Sequence, residues 1–182
     1  MSLLSGLTYD NDIQKEQDVL GGGKFSPVES GVYDATIKFA YLKKSKGGAL
    51  GLNLGFELDS GKEYTETLYV ASGDSKGNKN FYVNQQGEKR FLPGFVNADA
   101  ISLFAAQKPL GEMDTETKVV KIYDFDLGKE KPEEVPMITA FIGKQVKLGI
   151  KQKLEDKRIK ADSGEYVPSG ETRTTNEIDK VF

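Results

Sequence analysis

Residues 31–58 limit what this chain can fold into more than any other stretch. They read Gly-Val-Tyr-Asp-Ala-Thr-Ile-Lys-Phe-Ala-Tyr-Leu-Lys-Lys-Ser-Lys-Gly-Gly-Ala-Leu-Gly-Leu-Asn-Leu-Gly-Phe-Glu-Leu. In the first run Tyr33, Ala35, Ile37, Phe39 and Tyr41 share one parity, and in the second Leu50, Leu52, Leu54, Phe56 and Leu58 do the same. Side chains alternate faces along a strand, so each run predicts a β-strand with one apolar face. Between them Lys43, Lys44, Ser45, Lys46, Gly47 and Gly48 combine positive charge with backbone freedom. The prediction is a long β-hairpin with a cationic tip.

Further strands follow on the same logic. Residues 62–71 alternate Tyr64, Glu66, Leu68 and Val70 with Thr65, Thr67, Tyr69 and Ala71, and their β-branched and aromatic content favours a third strand. Residues 72–95 read as a long irregular stretch, of the kind that is usually functional or mobile. Within it Tyr82 and Val83 could form a small hairpin with Arg90, Phe91 and Leu92 across Gly87. Residues 97–107 predict the one clear helix, with Asn97 as N-cap and Pro109 after its end. Residues 117–126 predict a fourth strand and 128–134 a charged loop containing Pro132. Residues 135–142 are apolar, a turn of helix or the start of a strand. Gly143 and Lys144 open a fifth strand in which Val146, Leu148 and Ile150 alternate with Lys147, Gly149 and Lys151.

The order strand, strand, strand, helix, strand, strand matches a mainly all-β fold. It fits a five-stranded OB-type Greek-key barrel with one helix between strands three and four. A β-sandwich would give similar runs. The expected organisation is an acidic lead-in over 1–30, broken by Gly21-Gly22-Gly23, a β domain over 31–155, and a polar extension over 156–182.

Composition removes several functions. The 182 residues contain no cysteine and no histidine, so disulfides, thiolate chemistry, Ser-His and Cys-His catalysis and the usual zinc sites have no residues to work with. No run approaches the roughly 20 apolar residues of a membrane span, and no apolar segment resembling a signal peptide follows the start. The expectation is a soluble intracellular protein. A net charge of −3 argues against a wholly basic binder, but a local basic groove depends on how charge is distributed.

Three functions remain in view. A single-stranded nucleic-acid surface needs cations along the phosphates and aromatic faces for the bases. The possible stackers are Tyr41, Tyr64, Tyr69, Phe81 and Tyr82, and the possible phosphate contacts are Lys43, Lys44, Lys46, Lys76, Lys79, Lys89 and Arg90. Lys147, Lys151 and Lys153 could line a further wall, or simply keep an outward-facing strand soluble. Phe39 and Phe56 share parity with aliphatic neighbours and read as core, whereas Tyr41 stays open between core and surface. The second function is a Mg²⁺-dependent nuclease using Asp124, Asp126 and Glu130, although the many neighbouring carboxylates make a plain acidic surface the simpler reading. No phosphate-binding Gly-x-x-x-x-Gly-Lys-Ser/Thr loop is present. The third is a structural or scaffold β-protein, for instance of a virus.

Several segments, taken in order, carry a resemblance. They are Gly-Gly-Gly at 21–23, Glu-Ser-Gly-Val-Tyr at 29–33, Ala-Thr-Ile-Lys at 35–38, Lys-Lys-Ser-Lys-Gly-Gly-Ala-Leu at 43–50, Glu-Thr-Leu at 66–68 and Gly-Glu-Lys at 87–89. The series continues with Leu-Pro-Gly-Phe at 92–95, Lys-Val-Val-Lys-Ile-Tyr at 118–123, Val-Pro-Met at 135–137, Gly-Glu-Thr-Arg at 170–173 and the final seven residues from Asn176. Together they resemble bacteriophage single-stranded DNA-binding proteins of the OB-fold type. The resemblance implies a non-enzymatic protein without cofactors that coats single-stranded DNA in phage replication, recombination and repair, in the cytoplasm of the infected bacterial host. It also implies partner replication or recombination proteins recruited through a C-terminal tail. The end at Phe182 lacks a dense acidic run, so a longer natural tail is the expectation.

Overall fold

The computed structural model describes residues 27–124 and 127–182. The lead-in up to residue 26, with its glycine break, and Asp126 lie outside the described residues. The fold is mainly β. The hairpin that the alternation predicts is present, β1 (Gly31–Lys44) paired antiparallel with β2 (Leu50–Leu58), and β3 (Glu63–Ala71) continues the meander. Ile37, Leu52, Leu54 and Phe56 are almost fully buried, each burial contributing roughly 1.5–3 kcal/mol.

One residue changes which side chains face outward. Ile37 lies opposite Phe56 but Phe39 lies opposite Gly55, so Lys38 is an extra residue in β1. Such a bulge inverts the parity of everything after it. Ala35 and Ile37 point into the core before it, and Ala40 does so after it. Phe39 and Tyr41 therefore turn to the outer face. The reading of Phe39 as core is corrected, and Tyr41, left open by the sequence, is only partly covered.

Past β3, a short ribbon pairs β4 (Phe81–Val83) with β5 (Lys89–Phe91), the small hairpin across Gly87. The helix α1 (Pro93–Ala106) starts a turn earlier than Asn97. Pro93 occupies its first position, where a missing N–H costs nothing, and Gln107 closes it at φ 56°. Asn97 does not cap the helix; its side-chain amide donates to the Ile178 carbonyl at 2.9 Å.

The described residues contain nine strands rather than five. Residues expected as a charged loop form β7 (Lys129–Met137), paired along its length with β6 (Glu116–Asp124). Pro132 is tolerated because β7 touches β1 only at Tyr41 opposite Met137, so no ladder partner needs its N–H. A short 3₁₀ turn at Thr139–Phe141 then leads into β8 (Gln145–Lys160). The polar segment after residue 155 is no separate extension. β8 runs through that boundary and pairs with β9 (Tyr166–Val181), which returns Ile178 and Val181 to the core. Seven strands form one sheet, with β3, β2 and β1 in order and both β7 and β8 lying along the far side of β1.

No ladder joins β3 to β9. A side chain bridges them: Glu66 on β3 accepts the Ile178 N–H at 2.8 Å and the Tyr64 hydroxyl at 2.5 Å. No helix among the described residues is long and apolar enough to cross a membrane.

Candidate nucleic-acid interface

The two basic loops that the sequence presents separately are joined. The Asp74 N–H, in the 3₁₀ turn Asp74–Lys76, donates to the Gly47 carbonyl at the hairpin tip at 3.0 Å. Gly73 sits so close to that carbonyl that a side chain there would overlap it. Ser72 and Lys79 close the loop with a 2.8 Å backbone bond. This arrangement encloses a cleft of about 540 Å³ between the end of β3 and the β4–β5 ribbon. Five predicted residues line it: Tyr69, Lys76, Lys79, Phe81 and Tyr82. Tyr69 and Tyr82 are about half exposed, so their rings are available. Lys79 and Lys89 hold their ammonium groups 5.7 and 5.3 Å from the Phe81 ring centre, within cation–π range.

A second cavity of about 590 Å³ lies on the outer face of the meander. Its floor follows from register. Phe39 lies opposite Gly55, and Tyr41 opposite Asn53, which in turn faces Thr67. A side chain at Gly55 would overlap the Phe39 ring, so the glycine is what lets that ring lie down on β2. Phe39 stacks on Tyr41 with centroids 5.7 Å apart. The Tyr41 hydroxyl is held above the usual phenol range by burial, reinforced by the Glu133 carboxylate. Tyr123 and Lys121 of β6 form the opposite wall.

Tyr123 also borders a third cavity, of about 640 Å³, with Lys43, Lys46, Lys131 and Tyr166. Thus the tips of three ribbons, β1–β2, β6–β7 and β8–β9, meet there. Lys43 pairs with Glu133 at 2.8 Å, and Lys44 ends β1 exposed opposite Leu50.

Other predicted residues stand elsewhere. Tyr64 is core: it is 3% exposed, packs on Phe56, and its hydroxyl is pushed far up by burial beside Glu66. Its parity with Leu68 and Val70 dictates that placement. Arg90 pairs with Glu88 at 2.9 Å and holds that carboxyl below its usual range, with help from Asn84. Lys147 pairs with Asp34 at 3.2 Å. Lys151 bridges Glu177 and Asp179 at 3.0 and 2.6 Å, and Lys153 bridges Glu155 and Glu177 at 2.9 and 2.8 Å. These bonds raise the affinity of both lysines for their protons. The three lysines form a charge-balanced patch rather than a basic wall. Of the carboxylates Asp124, Asp126 and Glu130, Asp126 lies outside the described residues; among those described no three acidic groups converge to hold a metal. Asp124 takes Lys131 at 2.8 Å.

The residues that sequence reasoning passed over are Phe39, Lys121, Tyr123, Lys131 and Tyr166. Tyr123 belongs to a predicted strand, but its partner surface comes from residues of β1, β2 and β3 that lie 56 to 84 positions away. Phe39 was hidden by the bulge, which leaves no period-two signature. Neither a protein-family model nor a curated protein sequence matches this chain.

Proposed function

We propose that this protein binds single-stranded DNA without sequence preference and catalyses no reaction. The observation that carries the reading is the joining of the hairpin tip to the 72–79 loop, through Asp74 and Gly47, beside a cleft that sets Lys76 and Lys79 among Tyr69, Phe81 and Tyr82. Cations beside accessible aromatic rings suit a polyanion whose bases are unstacked, and stacking contributes about 1–3 kcal/mol per base. Tyr69 of the cleft and Thr67 of the second cavity share the outward parity of β3, so a bound strand has a path from one to the other across the sheet.

The finer architecture we propose is an OB-type barrel of β1, β2, β3, β8 and β9, with α1 between the third and fourth. Pairing in the order β3–β2–β1–β8–β9 supports it, as does the Glu66 bridge from β3 to β9. In this scheme β6–β7 is an added ribbon, and the loops after β1 and β8 flank the ligand face, as in OB folds. The resemblance supplies the setting: DNA metabolism of a phage inside its bacterial host, with other replication or recombination proteins as partners.

The test is a gel shift with single- and double-stranded oligonucleotides of equal length at several salt concentrations. Single strands should bind more tightly, because a duplex hides its base faces, and binding should weaken steeply with salt. Equal affinity for both forms would refute stacking-led recognition, and a flat salt response would point to a structural role.

A further inference from the structure

We infer that the cavity between Phe39, Tyr41 and Tyr123 is a pocket for one unpaired nucleobase of any kind, with the Asn53 amide donating to an acceptor on its edge. The inference rests on the single-strand reading above and assigns a specific subsite within it. Its floor is aromatic. Gly55 lets Phe39 lie against β2, and Tyr41 stacks beside it at 5.7 Å. Its wall is Tyr123, half exposed, from a ribbon outside the proposed five-strand core. A volume of about 590 Å³ leaves room for a flat heterocycle between them.

The polar groups favour a base over a phosphate. Glu130 lines the pocket, and its negative charge repels an anion but not a neutral ring. The Thr67 hydroxyl donates to Asn53 Oδ1 at 2.7 Å, which fixes the amide and leaves its NH₂ as a donor for an acceptor atom on the base edge. Lys121 stands on the wall beside Tyr123, placed to meet the neighbouring phosphate outside the pocket. A base paired in a duplex could not enter between floor and wall, so the pocket selects single strands.

The experiment measures fluorescence anisotropy of the full chain with a labelled oligo-dT and with an oligonucleotide of equal length whose central residues are abasic. Tyr123→Ala and Phe39→Leu should each weaken oligo-dT binding about 5- to 150-fold, the equivalent of one lost stack, and leave abasic binding unchanged. Tyr123→Phe should retain wild-type affinity, since the ring is what is used. Circular dichroism melting checks the fold, and Tyr123→Ala decides the matter if Phe39→Leu unfolds. Unchanged oligo-dT affinity in a folded Tyr123→Ala variant overturns the pocket and leaves the single-strand reading standing. Equal losses on both oligonucleotides also overturn it, because a phosphate contact would then explain them. Failure of the wild-type chain to bind oligo-dT at low salt refutes the functional reading, and the pocket with it.

Discussion

Glu66 offers the sharpest test of how this fold is held together. Its carboxylate is the bridge between two strands that share no ladder, accepting from Ile178 N–H at 2.8 Å and Tyr64 hydroxyl at 2.5 Å. Hydrogen bonds to a charged acceptor contribute about 1.5–3 kcal/mol each. Glu66→Ala removes both and strands the Tyr64 hydroxyl, which is 3% exposed. Recovery of the carboxylate's hydration offsets part of that loss, so the expected net destabilisation is about 2–4 kcal/mol. Glu66→Gln keeps an acceptor and should cost less. Burial holds the Glu66 carboxyl above its ordinary value, against the opposing pull of the two hydrogen bonds. The folded state therefore keeps this proton to higher pH than the unfolded chain. Its contribution is largest in acid and is lost as pH rises from about 4.3 through the raised folded value. Glu57, Glu88, Glu116, Glu155 and Glu177 are depressed by lysine, arginine and amide partners, so their contributions are lost in the opposite direction, as pH falls below about 4. Subtracting the Glu66→Gln profile from the wild type cancels those shared terms. Urea denaturation between pH 4 and 8 should show the wild type losing stability relative to Glu66→Gln as pH rises. Parallel profiles, or a Glu66→Ala variant as stable as wild type, would refute the argument.

Other consequences are simpler to check. Gly94→Ala should destabilise the fold by about 1–3 kcal/mol in thermal or urea melts, because the added methyl would overlap the Tyr69 carbonyl and push α1 off β3. Lys44→Gln with Lys76→Gln should reduce the slope of log affinity against log salt by about 1.4 in oligo-dT titrations, two charges at about 0.7 each. The same change at Lys151 and Lys153 should leave that slope unaltered, since carboxylates already balance both charges. Its effect on stability should be small, because solvent and salt screen exposed ion pairs.

Alternation was enough to place β1, β2 and β3, because their inner faces bury Ile37, Leu54, Phe56 and Leu68 and are apolar at alternate positions apart from Glu66 and the shift at Lys38. Glycines and lysines at 43–48 likewise made the cationic tip legible, and parity alone marked Tyr69 as outward. The distal half of β8 and most of β9 carry no such signal. They are exposed on both faces and exist because each supplies the other's backbone bonds, so their residues read as polar loop. Only the tertiary structure decided three further matters. The extra residue Lys38 turned Phe39 outward, since a bulge is a property of pairing between two strands and not of either one. The Asp74–Gly47 bond held the hairpin tip against the 72–79 loop, and the β6–β7 ribbon set Tyr123 across from Phe39. A strand's own sequence determines which side chains share a face; which faces meet depends on contacts between residues far apart in the chain.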